Sequence, residues 1–263
     1  MVRILCIADE ESPRLWAGHA RELRPDLVLA AGDLPWGYLE HIASCVDAPL
    51  LFVPGNHDPA VARGRLHRSG MHVHAGLPVP DPRPHGGINA DGRVVEAAGL
   101  RIAGLGGCVR YRPGPNQYSQ AEFTRKASRL ARLARRHLKR SRRAGGTATS
   151  PGIDILLTHA PPRHCGDQED APHHGIEALH PLIEQLTPRL LVHGHIHPYG
   201  QRRPDRQVGG TTIRNVVPYK VFDLPVATPT AQFTAGDARL CPPTPDHPAP
   251  TPRPTSFEFV ARS

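Results

Sequence analysis

The sequence predicts an α/β protein whose sheet carries polar side chains along one edge. Short apolar runs alternate with longer amphipathic segments, which is the pattern of strand–helix units that build a parallel sheet. Five of these runs end in Asp, Asn or His, and a glycine stands beside most of them. At 263 residues the chain can bury a substantial core. No apolar run reaches the roughly 18 residues of a membrane span, so no membrane partner is expected.

The positive charge is concentrated in one segment. The formal net charge is +8, and ten of the 32 Lys and Arg residues lie within 125–143, which contains no Asp or Glu. The rest of the chain has 22 basic and 24 acidic residues, so it is slightly acidic. The basic composition therefore does not indicate a nucleic-acid-binding surface over the whole protein.

Cysteine usage and the N-terminal sequence both predict a cytoplasmic protein. The five cysteines are scattered and form no CxxC pair, which fits reduced thiols and argues against a disulfide framework or a structural zinc knuckle. The first apolar run is short, precedes three acidic residues and lacks a small-residue cleavage site, so it predicts a strand and not a signal peptide. Seventeen histidines are a first indication of metal chemistry.

The first part of the chain predicts three parallel strands, over 4–8, 27–31 and 49–53. Because the carboxyl ends of parallel strands meet at one edge of a sheet, we expect the polar residues that follow them to lie together. Taken alone, Asp9 or Ser12 could instead cap a helix that runs to about residue 23. The residues that follow the three strands are Asp9, Asp33, and the group Asn56, His57 and Asp58.

The middle of the chain predicts a second sheet and a long basic helix. Residues 93–105 predict a hairpin that turns at Ala98 and Gly99. Ser119 and Glu122 form a capping box, which predicts the start of the helix. Its basic face, within 125–143, has two interpretations: it binds a phosphate backbone or an acidic partner, or it is a solvated face that keeps the protein soluble.

Two further strands are followed by histidines. The strand predicted over 153–157 leads to His159, and the strand over 189–192 leads to His195 and His197. Imidazoles two residues apart in a turn can point to a common centre, and histidine is the commonest metal ligand. This alternation is the strongest single motif in the chain.

The C-terminal part predicts little further chemistry. Residues 211–217 and 219–223 predict a closing hairpin around Pro218. The Pro-rich composition of 225–256 predicts a disordered tail, because such a segment cannot bury enough apolar surface to fold. Residues 257–263 predict an edge strand or a continuation of that tail.

Together, the five strand ends offer two carboxylates, an amide oxygen and three imidazoles. That number is too large for one tetrahedral ion and suits a pair, with Asp33 as the natural bridge. Two metal ions about 3.5–4 Å apart polarise a phosphoryl oxygen and generate hydroxide at neutral pH. The sequence therefore predicts a dinuclear hydrolytic site.

The order of these motifs resembles that of the calcineurin-like metallophosphoesterases. The likeness runs from about residue 4 to residue 223, through Asp-x-x, Gly-Asp, Gly-Asn-His-Asp, a strand-end His and Gly-His-x-His. It implies a domain over 1–224 with a four-layer α/β/β/α sandwich of two mixed sheets. It also implies two divalent ions, manganese first, with iron, zinc and magnesium as alternatives.

The resemblance also implies a role for each candidate residue. Asp9 and His197 would hold the first metal, and Asp33 would bridge the pair. The second metal would be held by Asn56, His159 and His195. His57 would protonate the leaving oxygen, Asp58 would orient its imidazole, and no covalent enzyme intermediate would form.

One position departs from the family pattern. The first motif of the family is usually Asp-x-His, and Glu11 stands where that histidine would be. A carboxylate can still be a ligand, and it is a harder one that suits manganese or magnesium. Alternatively, Glu11 faces away and the first metal is held weakly.

Three functional hypotheses follow. The first is a metal-dependent hydrolase of a small phosphorylated substrate, with a phosphodiester or nucleotide favoured because the chain has no dedicated cap domain. The second is a protein with weak or lost turnover that binds nucleic acid or an acidic partner through the basic helix 125–143. In the third, the helix steers an anionic substrate to the metals. The oligomeric state is not indicated by the sequence.

Overall fold

The computed structural model describes residues 1–60, 65–66, 72–74, 77–79, 84–143, 152–201 and 203–226. The tail predicted over 225–256, beyond its first two residues, and the segment predicted over 257–263 lie outside the described residues. In chain order the strands are β1 (Val2–Ile7), β2 (Leu27–Ala30), β3 (Leu50–Phe52), β4 (Arg65–Leu66), β5 (His72–His74), β6 (Leu77–Val79), β7 (Gly87–Asn89), β8 (Val94–Ala97), β9 (Leu100–Leu105), β10 (Cys108–Val109), β11 (Gln117–Tyr118), β12 (Ile155–Thr158), β13 (Leu190–His193), β14 (Arg206–Val208), β15 (Thr211–Asn215) and β16 (Tyr219–Leu224).

Four α-helices accompany these strands in the part of the chain that the structure describes. A π-helical turn (Leu15–His19) and a 3₁₀ turn (Ala171–His173) supplement them, and the π-helical turn contains Gly18 at a φ of 97°. The helix predicted to run to residue 23 is therefore interrupted at this glycine. The helices are α1 (Ala20–Leu23), α2 (Trp36–Cys45), α3 (Gln120–Arg143) and α4 (Leu179–Leu186).

The two large sheets are both mixed. The first has the order β16-β1-β2-β3-β7, in which only β16 runs antiparallel to its neighbour. The second has the order β14-β15-β13-β12-β9-β8, with antiparallel strands at both ends. The helices lie outside the sheets, which gives the predicted α/β/β/α order.

Three buried clusters show how the four layers pack. Side chains alternate between the faces of β1, so Ile4 and Cys6 point to one side and Leu5 and Ile7 to the other. The first pair packs against the second sheet, in a cluster that includes Ile155. The second pair packs in a cluster with residues of α2, and a third cluster joins the second sheet to α3 and α4. The four-layer prediction is confirmed.

The start of α3 is also confirmed. The backbone N–H of Ser119 donates to Glu122 Oε2 at 2.7 Å, and the backbone N–H of Glu122 donates to Ser119 Oγ at 3.2 Å. This reciprocal pair satisfies two donors that a helix start leaves without intrahelical acceptors. The predicted hairpin at Ala98 and Gly99 is present as β8 and β9.

The prediction of a hairpin around Pro218 is wrong. Strand β15 pairs in parallel with β13 in the second sheet, whereas β16 pairs antiparallel with β1 in the first. The short connection contains Val216 and Val217, which are buried in the cluster between the sheets. The chain therefore crosses from one sheet to the other at this point and does not fold back on itself.

Candidate metal centre

Four of the predicted side chains converge at the carboxyl ends of the central strands. Asp9, Asp33, His159 and His195 each offer one ligand atom, and these atoms all lie within 4.8 Å of one another. They follow β1, β2, β12 and β13, so the cluster is built from both sheets. The register aligns the strand ends: Ile7 pairs with Ala30, and Leu157 pairs with Val192.

The backbone adopts a left-handed conformation at three of these four positions. Asp9, Asp33 and His195 have φ angles of 59°, 55° and 65°, in the left-handed region. A non-glycine residue pays about 1 kcal/mol or more for this conformation, and such residues concentrate at functional sites. These three residues all contribute side chains to the cluster.

Two glycines allow the turns to approach the carboxylates. A Cβ on Gly55 would overlap Asp33 Oδ1, and a Cβ on Gly194 would overlap Asp9 Oδ2. Glycine is therefore required in the Gly-Asn-His-Asp and Gly-His-x-His motifs because a larger residue would clash with a carboxylate.

Asp33 is held at the centre of the cluster. Its Oδ1 accepts the backbone N–H of His57 at 2.7 Å, and its Oδ2 lies 3.3 Å from His159 Nε2. Burial alone would raise the pKa of Asp33, but the charge and hydrogen bond of His159, with the backbone hydrogen bond of His57, lower that pKa to about 2. Asp33 is therefore ionised at neutral pH.

His159 is fully buried and oriented by the backbone. Its Nδ1–H donates to the Ala31 carbonyl at 2.7 Å, which directs Nε2 toward Asn56 Oδ1 at 3.0 Å and toward Asp33. Burial lowers the pKa of this imidazole, but the negative charges of Asp33 and Asp9 outweigh it and raise the pKa to about 10. A backbone carbonyl on the outer nitrogen is the usual arrangement of a metal-binding histidine.

His195 is also oriented by a backbone carbonyl, but through Nε2 and not through Nδ1. Its Nε2–H donates to the Pro172 carbonyl at 2.8 Å, so Nδ1 carries the free lone pair. Burial and the charge of His159 lower the pKa of His195 to about 3, which keeps the ring neutral. The rings of His159 and His195 lie 4.8 Å apart, with an edge-to-face orientation.

Asp9 links the cluster to the Gly-His-x-His loop. Its Oδ2 accepts the backbone N–H of His195 at 2.8 Å. Burial and the nearby charge of Asp33 raise the pKa of Asp9 to about 6. The Nε2 atom of His197 lies 4.0 Å from Asp9 Oδ1, at the more exposed side of the cluster.

The side chains of Glu10 and Glu11 contact different parts of the structure. Glu11 does not reach the cluster: its Oε2 accepts Trp16 Nε1–H at 2.7 Å, and the side chain is exposed. This placement corresponds to the alternative in which Glu11 faces away. The carboxylate near the site is Glu10, whose Oε1 lies 2.7 Å from His197 Nδ1. Sequence reasoning missed Glu10, because a strand end does not indicate which of two adjacent glutamates turns inward.

His57 and Asp58 have different environments. The His57 side chain is exposed, while its backbone N–H donates to Asp33 Oδ1. Asp58 is buried, and its Oδ2 accepts the backbone N–H groups of Asp33 at 3.0 Å and Gly55 at 2.7 Å. Within the residues that the structure describes, no hydrogen bond joins Asp58 to the His57 ring. The geometry therefore gives Asp58 the role of holding the turn.

Two residues that sequence reasoning missed support this turn from the loop before α3. Asn116 Nδ2 donates to the carbonyls of Gly55 at 2.9 Å and Asp58 at 3.1 Å. Asn56 Nδ2 contacts Tyr111 Oη at 3.4 Å, which leaves Asn56 Oδ1 directed at His159. The Pro, Gly and Asn residues within 111–118 indicate a loop, but they do not indicate which distant residues the loop contacts.

The donor set fits divalent metal ions. Carboxylate, amide and imidazole ligands suit manganese, iron and zinc, and the outer nitrogens of both buried histidines are held by backbone carbonyls. Asp9 and His197 would form one end of the site, and Asn56, His159 and His195 the other, with Asp33 between them.

Comparison with known proteins gives one family and a fold. A sequence model of the calcineurin-like phosphoesterases matches residues 8–199, a span that contains every candidate site residue. One solved structure is 13% identical, with a TM-score of 0.53 over 80% of this chain and 88% of that one. At this identity the likeness shows the fold alone.

Two further solved structures match this chain with TM-scores below 0.5. The protein TT1561 of Thermus thermophilus is 15% identical over 81% of this chain and 87% of its own, with a TM-score of 0.47. A Vps29 single mutant from Entamoeba histolytica is 15% identical over 81% and 73%, with a TM-score of 0.37. No curated protein matches the sequence. Because the family match covers most of the chain and contains the whole metal-ligand cluster, this protein belongs to the calcineurin-like phosphoesterase family.

Proposed function

We propose that the protein hydrolyses phosphate esters with two divalent metal ions, manganese first, with iron, zinc and magnesium as alternatives. The observation that carries the proposal is the convergence of Asp9, Asp33, His159 and His195 within 4.8 Å. Membership of a phosphoesterase family supports the same reaction class. When bound, such ions polarise the phosphoryl oxygen and supply a hydroxide nucleophile at neutral pH.

Three residues of the chain have proposed roles beside the metal ions. Asp33 is ionised and has both oxygens fixed, which suits a bridge between two cations. His57 is anchored through its backbone to Asp33 Oδ1, while its imidazole remains exposed. In this proposal the imidazole donates a proton to the leaving oxygen of the substrate. Asp58 keeps the turn in place.

The proposed substrate is a small phosphodiester or nucleotide. The support is the exposure of the His57 side chain at the site. The proposed location is the cytoplasm, which is supported by free thiols at Cys6, Cys45, Cys108 and Cys165. Among the described residues, no helix is long and apolar enough to cross a membrane.

Activity and metal content test this proposal together. We expect the purified protein, given manganese, to hydrolyse p-nitrophenyl phosphate or bis(p-nitrophenyl) phosphate and to contain metal by mass spectrometry. Asp33→Asn should lower kcat by at least about 100-fold, because the bridging charge is lost. Asp223→Asn is the matched control, since this exposed carboxylate pairs with Arg3 far from the cluster. A protein that binds no metal and cleaves neither ester would overturn the proposal.

A second candidate function is supported by the outer face of α3. Arg125, Arg129, Arg132, Arg136 and Arg140 are exposed, and none forms an ion pair within the described residues. Their spacing of three or four residues places them in one stripe about 22 Å long. The opposite face of the helix is buried through Phe123, Leu130 and Ala134. We propose the stripe as a binding surface for a nucleic acid or another acidic partner.

Salt dependence tests the second candidate. If the stripe contacts phosphates, changing Arg125, Arg129, Arg132 and Arg136 to Gln should reduce the slope of log K against log salt by about four for duplex DNA. Changing Arg3 and Arg21, which lie elsewhere, is the control. An unchanged slope would eliminate the stripe as a nucleic-acid surface and favour the solvated-face interpretation.

A further inference from the structure

An exposed tyrosine follows the Gly-His-x-His motif. Tyr199 comes two residues after the candidate ligand His197, and 78% of its surface is exposed. A single exposed apolar side chain is common on protein surfaces, but this one lies beside the candidate metal centre. Its aromatic ring has no role among those proposed for the metal ligands.

The turn that holds Tyr199 favours a different residue at this position. The backbone N–H of Gln201 donates to the Pro198 carbonyl at 2.8 Å and closes the turn. The two central residues, Tyr199 and Gly200, have φ angles of 46° and 75°. Positive φ at both central positions is characteristic of a type I′ turn, in which Asn, Asp and Gly are preferred and a bulky side chain is disfavoured. The backbone of the turn therefore does not account for a tyrosine.

The Tyr199 ring extends from the metal centre toward solvent. Its centroid lies 5.8 Å from that of the His197 ring, and the two planes are tilted by 32°. The Nε2 atom of His197 lies 4.0 Å from Asp9 Oδ1, at the first-metal end of the cluster. When the phosphoryl group of a substrate occupies the cluster, its organic group is therefore close to the Tyr199 ring.

An aromatic ring in this place suits a planar ligand. Aromatic pairs prefer offset or edge-to-face arrangements, and the large exposed area of Tyr199 leaves room for a second ring beside His197. Every nucleobase has a π face, and stacking of a base on an aromatic side chain stabilises binding without hydrogen bonds to the base edge. The position thus combines a phosphoryl site with a stacking surface for a base.

We propose that Tyr199 is a specificity-determining residue that stacks on the nucleobase of a nucleotide substrate. The inference rests on the proposed function and deepens it, because it selects nucleotides among the small phosphate esters that the metal centre could cleave. A sugar phosphate without a base lacks the group that Tyr199 would contact.

Two phosphonate analogues test this contact without turnover. The methylene phosphonates of AMP and of ribose 5-phosphate differ only in the adenine base, and neither has an ester bond to hydrolyse. Isothermal titration calorimetry on the full chain in manganese should show that the AMP analogue binds about tenfold more tightly. Tyr199→Asn should remove this preference, and Tyr199→Phe should keep it, because phenylalanine retains the ring. Both variants should bind the ribose analogue as the wild type does.

The controls separate stacking from a structural role. Trp16→Leu removes another exposed aromatic ring, which contacts His41 on α2, and should leave the preference unchanged. Urea unfolding should show Tyr199→Asn to be at least as stable as the wild type, because asparagine suits the turn. If that variant does not fold, Tyr199→Leu, which removes the π face and keeps an apolar side chain, decides. Loss of manganese from Tyr199→Asn would show that the ring supports His197, and would overturn the inference.

The remaining outcomes separate the base contact from the hydrolysis. Equal affinity for the two analogues, no binding of either, or a preference that persists without the ring would overturn the inference, and cleavage of the p-nitrophenyl esters would still support the proposed function. Loss of the preference in Tyr199→Phe would also overturn it, since the hydroxyl and not the ring would then bind the base. A preference that depends on the ring, in a protein that cleaves neither ester, would retain the base contact and overturn only the hydrolysis.

Discussion

The backbone N–H of His195 donates to Asp9 Oδ2 at 2.8 Å, although 186 residues separate the two in the chain. Asp9 follows β1 of the first sheet and His195 follows β13 of the second. This hydrogen bond therefore joins the two sheets at the edge that carries the candidate metal ligands. The site depends on how closely the two turns approach.

Gly194→Ala should displace Asp9. The added Cβ would overlap Asp9 Oδ2, so we expect a loss of metal content, together with a destabilisation of about 1–3 kcal/mol from overpacking. Metal analysis and urea unfolding measure both effects. Gly37→Ala is the control, because nothing lies within 4 Å of its added Cβ and the substitution lies in α2. Full metal content in Gly194→Ala would show that the turns tolerate separation.

Asp58→Ala should destabilise the protein. It removes the acceptor of two backbone N–H groups, those of Asp33 and Gly55, and each unsatisfied buried donor costs about 1–3 kcal/mol. Asp58→Asn keeps an oxygen at this position and should lose less. Urea unfolding compares the two variants. If both variants are as stable as wild type and only the pH profile of kcat changes, Asp58 orients His57 as the family resemblance implies.

Metal affinity should increase with pH. The pKa of His159 is about 10, so between pH 6 and pH 9 an incoming metal ion must displace its proton. One released proton raises the affinity about tenfold per pH unit. Titration of manganese at several pH values, in two buffers of different ionisation enthalpy, measures both the affinity and the proton. An affinity that is independent of pH in this range would show that His159 is already neutral.

The same proton affects the stability of the protein in EDTA. The pKa of His159 is raised in the folded state above its ordinary value of 6.5. The stabilisation that protonated His159 adds to the free energy of unfolding is therefore fully present below pH 6.5. The contribution should decline as the pH rises from 6.5 toward 10. Urea unfolding across this range, with His159→Asn as the reference, isolates it. A constant difference between the two proteins would contradict the raised pKa.

The strand ends could be predicted from the sequence because they depend on local pattern. An apolar run followed by Asp33 or His159 indicates a buried strand and its polar end, and sheet topology then brings these ends together. The support given by Asn116 to Gly55 could not be predicted, since it joins residues 61 positions apart. The partners of β15 and β16 were missed for the same reason: proximity in sequence suggested a hairpin, and long-range pairing decided otherwise.

Glu10 and Glu11 offer a matched pair of substitutions. The turn after β1 directs Glu10 to His197 Nδ1 at 2.7 Å and Glu11 to Trp16. If Glu10 orients His197 as a ligand, Glu10→Gln should weaken binding of the first metal by about 10–100-fold, the usual cost of losing an outer partner of a metal-binding histidine. Glu11→Gln should leave that affinity unchanged, because its side chain lies outside the cluster. Competition with a metal chelator measures both. The opposite ranking would return Glu11 to the first metal and make the contact between Glu10 and His197 incidental.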